Sequence, residues 1–540
     1  MTGQIPPKTW RYLGIAGIAT AVLLGIVFRF YQVSRSEFFF YDEGLYLNLH
    51  RKYLVLMDQM RPFNFNNIFG TLYLFLRLAL GEGKALWFFI SHLRVLFGGL
   101  EMWYFPRLIS ATSSVLTLVL IFIFAKRFFN SSRAGWISVV LLALLPSHVF
   151  YSRLALQETT CTLFFLLGFY FYLFPKGFGV RTFLSSFFFV IAYFLNYRLV
   201  IVPLVVLFSG LYFAFALGEK FAFRKYFWHT LIFLLLIFLI GNIDQAQNTI
   251  TTFSWMYYQS KLAREQFDFL NFFSYPYYLF RLESIFFAFL FFGNTYLLFK
   301  KMWAWAFPFS LAVFYMLLFS FAADKGARYF CVMLPFAVMA VTALCEYVWT
   351  EKRTAFFSRT AAVLFGVMVL SLLAQSLGVI RFHSDYEAAA KFLKTQSVSP
   401  MVVATQRWIM NLYTPEKHVI ECPKELSAFV RLYKSGYRYL VLCPQMYISW
   451  TLDGKKFTPE LVSHLNFIRG HVTPMKTFSH FNEGMLERFV FEHNENLRRS
   501  LAFLRRAKAE KFGEIRIYDM KTSIETIAES VLEHNRQIQK

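Results

Sequence analysis

The side chains best equipped for chemistry are two adjacent carboxylates, Asp42 and Glu43, in the run Phe38-Phe39-Phe40-Tyr41-Asp42-Glu43-Gly44 that follows the first long apolar stretch. Ionised groups held that close to hydrocarbon are costly and call for a partner or a function. One reading makes them first-turn carboxylates of a surface helix, favoured by its positive pole. The other makes them acid–base groups. Further along, Glu158 adds a third carboxylate, and Lys84, Arg198, Lys325 and Arg328 supply cations near the ends of other apolar runs. A carboxylate that takes a proton from a hydroxyl, together with Lys and Arg that hold a departing phosphate, suits group transfer from a phosphorylated donor.

These residues sit in a chain of 540 residues that is 57% hydrophobic, 21% aromatic and only 16% charged, with mean hydropathy +0.46. That composition excludes an ordinary globular protein and implies a polytopic membrane protein. The formal charge of +23 falls mostly in short loops between apolar runs, which points to membrane topology rather than to nucleic acid. Five cysteines without C-x-x-C spacing signal neither zinc nor a redox pair. The apolar run at 13–30, preceded by Lys8 and Arg11, is long enough to span, and no small-residue cleavage site follows it. It reads as a retained helix.

Eleven apolar runs have spanning length: 13–31, 106–125, 135–151, 159–174, 182–196, 199–217, 228–243, 282–299, 303–322, 328–349 and 356–379. With a cytoplasmic N-terminus, the cytoplasmic connections carry Lys126, Arg127 and Arg133; Lys176 and Arg181; Lys220, Arg224 and Lys225; Lys300 and Lys301; and Lys352, Arg353 and Arg359. All are basic, as the positive-inside rule requires. The Asp42 loop (32–105), 151–158, 196–198, 244–281, 323–328 and everything after 380 are then extracytoplasmic. The first outer loop should hold interfacial helices at 45–56, 69–80 and 85–97. The aromatic loop 244–281, with Trp255, Tyr257, Tyr258, Tyr275, Tyr277 and Tyr278, suits a lid at that face or an interfacial belt.

From Arg381 the composition becomes that of a soluble α/β domain (381–540) following a membrane module (1–380). Strands are expected at 401–405, 418–421, 437–443 and 514–518, with His480-Phe481 near an edge and helices at 386–394 and 424–433. The alternation favours a small sheet with parallel pairs. No glycine-rich phosphate loop follows a strand, so no nucleotide site is indicated. Cys422 and Cys443 fall at strand ends, and the sequence leaves their pairing open.

The order of motifs resembles the GT-C superfamily of polyprenyl-phosphate-sugar-dependent glycosyltransferases, in the branch of protein O-mannosyltransferases and the lipid A aminoarabinose transferase. The residues that carry it are Asp42-Glu43, Gly83-Lys84 before Leu86-Trp87-Phe88-Phe89, Phe105-Pro106-Arg107-Leu108, and Ala125-Lys126-Arg127-Phe128-Phe129. Leu145-Pro146-Ser147, Tyr151-Ser152-Arg153-Leu154-Ala155-Leu156-Gln157-Glu158 and Lys325-Gly326-Ala327-Arg328-Tyr329 ahead of Leu334-Pro335 complete it. The likeness covers the membrane part to about residue 200, more loosely to 350, and the soluble domain hardly at all. The chain departs from similar proteins in three ways. It has Lys84-Ala85-Leu86 in place of Lys-Pro-Pro, a longer stretch between Glu43 and Lys84, and Glu82 two residues before the lysine instead of one. Glu158 stands where Asp is often found.

The resemblance implies a helical membrane fold and inverting transfer of a sugar, hexose or pentose, from a polyprenyl phosphate to an acceptor hydroxyl outside the membrane. Asp42 is expected to act as base, with Glu43 and Glu158 orienting acceptor or base. Lys84, Arg198, Lys325 and Arg328 are expected to bind the donor phosphate. Bland readings stand beside these. Arg153 and Glu158 suit a structural ion pair, and Arg198 suits snorkelling to headgroups. Arg328-Tyr329 at a helix start opposes the helix dipole, which favours a bound anion. His50, His92 and His148 read as interfacial or core histidines, and whether a divalent cation joins Asp42 and Glu158 is left open.

The acceptor could be protein, lipid A, another glycan or a small lipid. The sequon Asn130-Ser131-Ser132 falls in a loop expected to be cytoplasmic, in keeping with a bacterial inner membrane. Alternatives are an oligosaccharyltransferase or glycan ligase, although Trp-Trp-Asp is missing, a lipid-linked sugar flippase, and a non-catalytic glycan-binding relative. A flippase should have broken spans and mid-membrane charges.

Overall fold

The computed structural model describes residues 7–35, 40–59, 84–92, 103–174, 179–218, 223–241, 257, 261, 268–322, 324–350, 355–423, 425–443, 459–479, 483–492, 494, 496–509 and 514–538. Glu82, the expected helix at 69–80, His480-Phe481, Trp255 and Tyr258 lie outside them. The chain divides into two compact units, residues 1–34 with 50–380, and 35–49 with 381–540. Asp42 and Glu43 therefore belong to the same unit as the C-terminal residues.

The first unit is helical. Its leading elements are α1 (Pro7–Phe30), the later part of α2 (Tyr41–Gln59), α3 (Ala85–His92), α4 (Phe105–Phe128), α5 (Ser132–Ala143), α6 (Pro146–Ser152) and α7 (Glu158–Leu173). Among the described residues, six helices are long and apolar enough to cross a membrane, or seven if α5 and α6, bent by 62°, form one broken span. The remaining expected runs coincide with shorter apolar helices at Ile15–Phe30, Glu158–Leu173, Val180–Leu195 and Ile285–Phe299. Length and composition thus establish an integral membrane protein with at least six such helices.

Packing in this unit follows from small polar residues and phenylalanine. α4 buries Ser110, Ala111, Ser113, Ser114 and Thr117, small side chains that let neighbouring helices approach closely and bond across the gap. Ser110 Oγ donates to Leu156 O (2.7 Å), Thr159 Oγ1 donates to Ser110 O (2.9 Å) and Thr160 Oγ1 to Ser113 Oγ (3.0 Å). Phe165, Phe169, Phe189 and Phe336 interlock edge to face alongside.

The second unit holds a five-stranded sheet in the order β2-β1-β3-β5-β4. The strands are β1 (Val402–Ala404), β2 (Val419–Glu421), β3 (Tyr439–Leu442), β4 (Lys476–Phe478) and β5 (Ile515–Asp519). β2, β1 and β3 are parallel, whereas β5 is antiparallel to both β3 and β4. Cys422 and Cys443 are both free. They follow strands on opposite sides of β1, roughly 10 Å apart at the usual strand spacing, beyond disulfide reach.

The first half of α2 is seated in this unit. Asn48 Nδ2 donates to Gly44 O (2.7 Å) and Trp408 O (2.5 Å), and Phe40 stacks on Phe489 at 4.5 Å. A Cβ at Gly44 would stand 2.8 Å from Ile409 Cγ1. Only glycine allows that approach.

Candidate active site

Each unit carries helix-leading carboxylates among the expected site residues. In the second unit Asp42 and Glu43 occupy the first turn of α2, and both are buried. Glu43 Oε2 accepts the backbone N–H of Phe40 at 3.1 Å. A glutamate reaching back three residues to the residue before the helix is the carboxylate half of a capping box, and it satisfies an otherwise orphaned donor. Glu43 thus has a structural task at the helix start.

In the first unit Glu158 opens α7 and is 2% exposed. One carboxylate oxygen is engaged by its own backbone N–H, while Oε2 is buried without a hydrogen-bond partner. Its charge interacts most strongly with Arg328, then Lys84, then Arg198. The ion pair expected between Arg153 and Glu158 is not among these. Arg153 instead donates to Val379 O and Tyr31 O, both at 3.2 Å, and ties α1 to residue 379.

The cations are held by short tight turns. Arg198 lies in the 3₁₀ turn Tyr197–Ile201, whose start is capped by Asn196 Oδ1. Its Nη2 donates to Tyr329 Oη (2.6 Å) and its guanidinium lies 3.8 Å over the Tyr329 ring. The Tyr329 hydroxyl in turn donates to Asp324. Arg328 and Tyr329 belong to a second 3₁₀ turn, Ala327–Met333, and Tyr315 Oη bonds Tyr329 O while Tyr278 Oη bonds Lys325 O, both at 3.0 Å. Lys84 precedes α3 and accepts the Phe88 N–H through its carbonyl. Lys84, Arg198, Lys325 and Arg328 are all at least nine-tenths buried. Buried cations of this kind suit an anionic ligand.

Lys126, Arg127 and Arg133 are far from this cluster. Leu156 is bonded at Ser110 near the start of α4, whereas Lys126 and Arg127 fall in its last turn, roughly 25 Å further along the axis. Arg133 there pairs with Glu346 (2.8 Å).

Four residues escaped the sequence reading as site or scaffold candidates. Gln157, fully buried, has neither amide atom partnered. Asp324 anchors the Arg198–Tyr329 contact. Arg29 and Glu283 are buried charges at the α5–α6 break. A lone arginine inside an apolar run was the available signal for Arg29. Among the described residues no group of three His, Cys, Asp or Glu side chains is arranged to hold a metal ion.

No family profile and no curated protein sequence matches the chain. Solved structures do. The Archaeoglobus fulgidus oligosaccharyltransferase in its apo form aligns with TM-score 0.53 at 9% identity, covering 82% of this chain and 71% of that one. ArnT from Cupriavidus metallidurans in the apo state gives TM-score 0.52 at 13% identity, over 82% and 94% of the two chains. The same ArnT bound to undecaprenyl phosphate gives 0.51 at 13%, over 83% and 95%. The chain therefore shares its fold with these solved structures.

Proposed function

We propose that this protein moves a sugar from a polyprenyl-phosphate carrier to an acceptor hydroxyl at the extracytoplasmic face of the membrane. The observation that carries the reading is the buried carboxylate Glu158 set in the field of Arg328, Lys84 and Arg198 within a GT-C fold, one of whose similar structures holds undecaprenyl phosphate. The acceptor oxygen attacks the anomeric carbon and its proton passes to Asp42. The bond from that carbon to the phosphate oxygen breaks, and polyprenyl phosphate leaves with the electron pair. One displacement inverts the anomeric centre. Lys84, Arg198, Lys325 and Arg328 neutralise the leaving phosphate. Glu158 orients the reacting groups.

The bacterial inner membrane, a cytoplasmic N-terminus, eleven crossings and an extracytoplasmic second unit belong to the same proposal. The acceptor is a glycan, lipid or protein hydroxyl. One observation favours the flippase alternative, the broken α5–α6 span with its buried charges. Purified protein in proteoliposomes loaded with lipid-linked sugars separates the two. Sugar transfer with release of polyprenyl phosphate supports the transferase. Movement of intact donor between leaflets without bond cleavage overturns it.

A further inference from the structure

The apolar run 132–152 breaks between Ala143 and Pro146, where α5 and α6 meet at 62°. Proline has no N–H to continue the helix, and a break inside a membrane leaves carbonyls and N–H groups that must find partners within the protein. Two buried charges from distant parts of the chain supply them. On the α5 side, Arg29 Nη1 donates to Ala143 O (2.8 Å) and Gly25 O (2.5 Å), and Nη2 donates to Leu142 O (3.0 Å). Nε donates to Ser114 Oγ (2.6 Å) and Nη2 also meets His148 Nδ1 (2.8 Å). On the α6 side, Glu283 Oε2 accepts the Ser147 N–H at 3.1 Å.

The signs are matched to the poles. A cation sits on the carbonyl end of α5 and an anion on the N–H end of α6, each opposing the local helix dipole. Both side chains are at most 2% exposed. The approach of α1 is equally specific, since a Cβ at Gly25 would lie 2.6 Å from Ala143 Cβ. With its helix ends neutralised from inside the protein, the elbow is a hinge held at one angle rather than an ion-binding break of the transporter kind.

What the elbow directs is the chain running to Glu158. Downstream of α6 the backbone is pinned at Leu156 by Ser110 and at Thr159 by the Ser110 carbonyl. Glu158, between these pins, is thus fixed from one side by α4 and from the other by the elbow. We infer that Arg29 and Glu283 are positioning residues, setting through the α5–α6 angle where the Glu158 carboxylate stands among the cations. This inference rests on the transferase reading above.

A double-mutant cycle on the full-length protein tests it. Arg29→Gln, Arg29→Lys, Glu283→Ala and Glu283→Gln are each made alone and with Glu158→Gln, and turnover, donor KM and binding of sugar-free polyprenyl phosphate are measured. Arg29→Gln and Glu283→Ala should each lower kcat about tenfold or more with donor KM and polyprenyl-phosphate affinity changed by less than about threefold. In the Glu158→Gln background the same changes should cost less than about twofold, because residues acting through one group are not additive. Glu283→Gln, whose amide oxygen still accepts the Ser147 N–H, should recover what Glu283→Ala loses, and Arg29→Lys should fall between. If Arg29→Gln does not fold, the Glu283 pair decides alone. Full multiplication of the losses in the Glu158→Gln background, or failure of Glu283→Gln to recover, overturns the positioning role while the transferase reading stands. Absence of transfer by the unaltered protein overturns both.

Discussion

Two helices, α2 and α7, begin alike in sequence, each with a carboxylate in its first turn after an apolar segment, and they use those carboxylates differently. At the head of α2, Glu43 turns back to cap the Phe40 N–H. At the head of α7, Glu158 keeps one oxygen unpartnered and faces Arg328, Lys84 and Arg198. A first-turn acid is thus a cap in one case and an electrostatic partner in the other. Which it becomes depends on where distant cations are brought, not on its own neighbours in sequence.

The largest effect should come from Asp42, the proposed base. Asp42→Asn should lower single-turnover transfer about 10²- to 10⁴-fold, the usual contribution of a positioned base, with donor binding retained. Next come the cations facing Glu158. Lys84→Ala and Arg328→Ala should each weaken binding of polyprenyl phosphate about 10- to 100-fold, corresponding to about 1.5–3 kcal/mol for a charged hydrogen bond. Equilibrium binding in detergent micelles or nanodiscs measures both.

The contrast between the two glutamates is sharper still. Glu158→Gln should reduce turnover about tenfold or more with little change in thermal midpoint. Glu43→Ala should do the reverse, costing about 1 kcal/mol of stability as a lost cap, and Glu43→Gln should restore that stability because glutamine caps as well. Loss of turnover in a stable Glu43→Gln protein would give Glu43 a chemical role beside its cap.

The smallest effect concerns the second unit. Burial pushes the Cys443 thiol up to about 12. Burial also raises Cys422, with the Glu421 charge adding to it. A raised pKa keeps both protonated at pH 8. Alkylation at that pH should therefore spare them in the folded protein and modify them after unfolding, without prior reduction, as peptide mass spectrometry would show.

Much of this was legible in the sequence because membranes and sheets impose simple periods. Runs of spanning length and the basic connections at 126–133 follow from bilayer thickness and charge placement. The strand expected at 437–443 contains β3, as a buried apolar run does. What was not legible depended on close approach between remote segments. Gly44 gives no sign of Ile409, yet that contact seats Asp42 and Glu43 in the unit built from the C-terminal residues. Arg29, inside the first apolar run, is fully buried and bonds five protein atoms. In place of the ion pair offered for Arg153 and Glu158, Arg153 bonds the carbonyls of Val379 and Tyr31, and Glu158 interacts with Arg328, Lys84 and Arg198. The edge strand β4 falls at 476–478, a segment for which no strand was expected.

The most direct test of the central claim is the anomeric configuration of the product formed from a lipid-phosphate sugar of known anomer, read by proton NMR after single turnover. The account predicts inversion at the anomeric carbon, with polyprenyl phosphate released in equal amount to product. Retention of configuration, or product without released polyprenyl phosphate, would contradict a single displacement from a polyprenyl-phosphate donor.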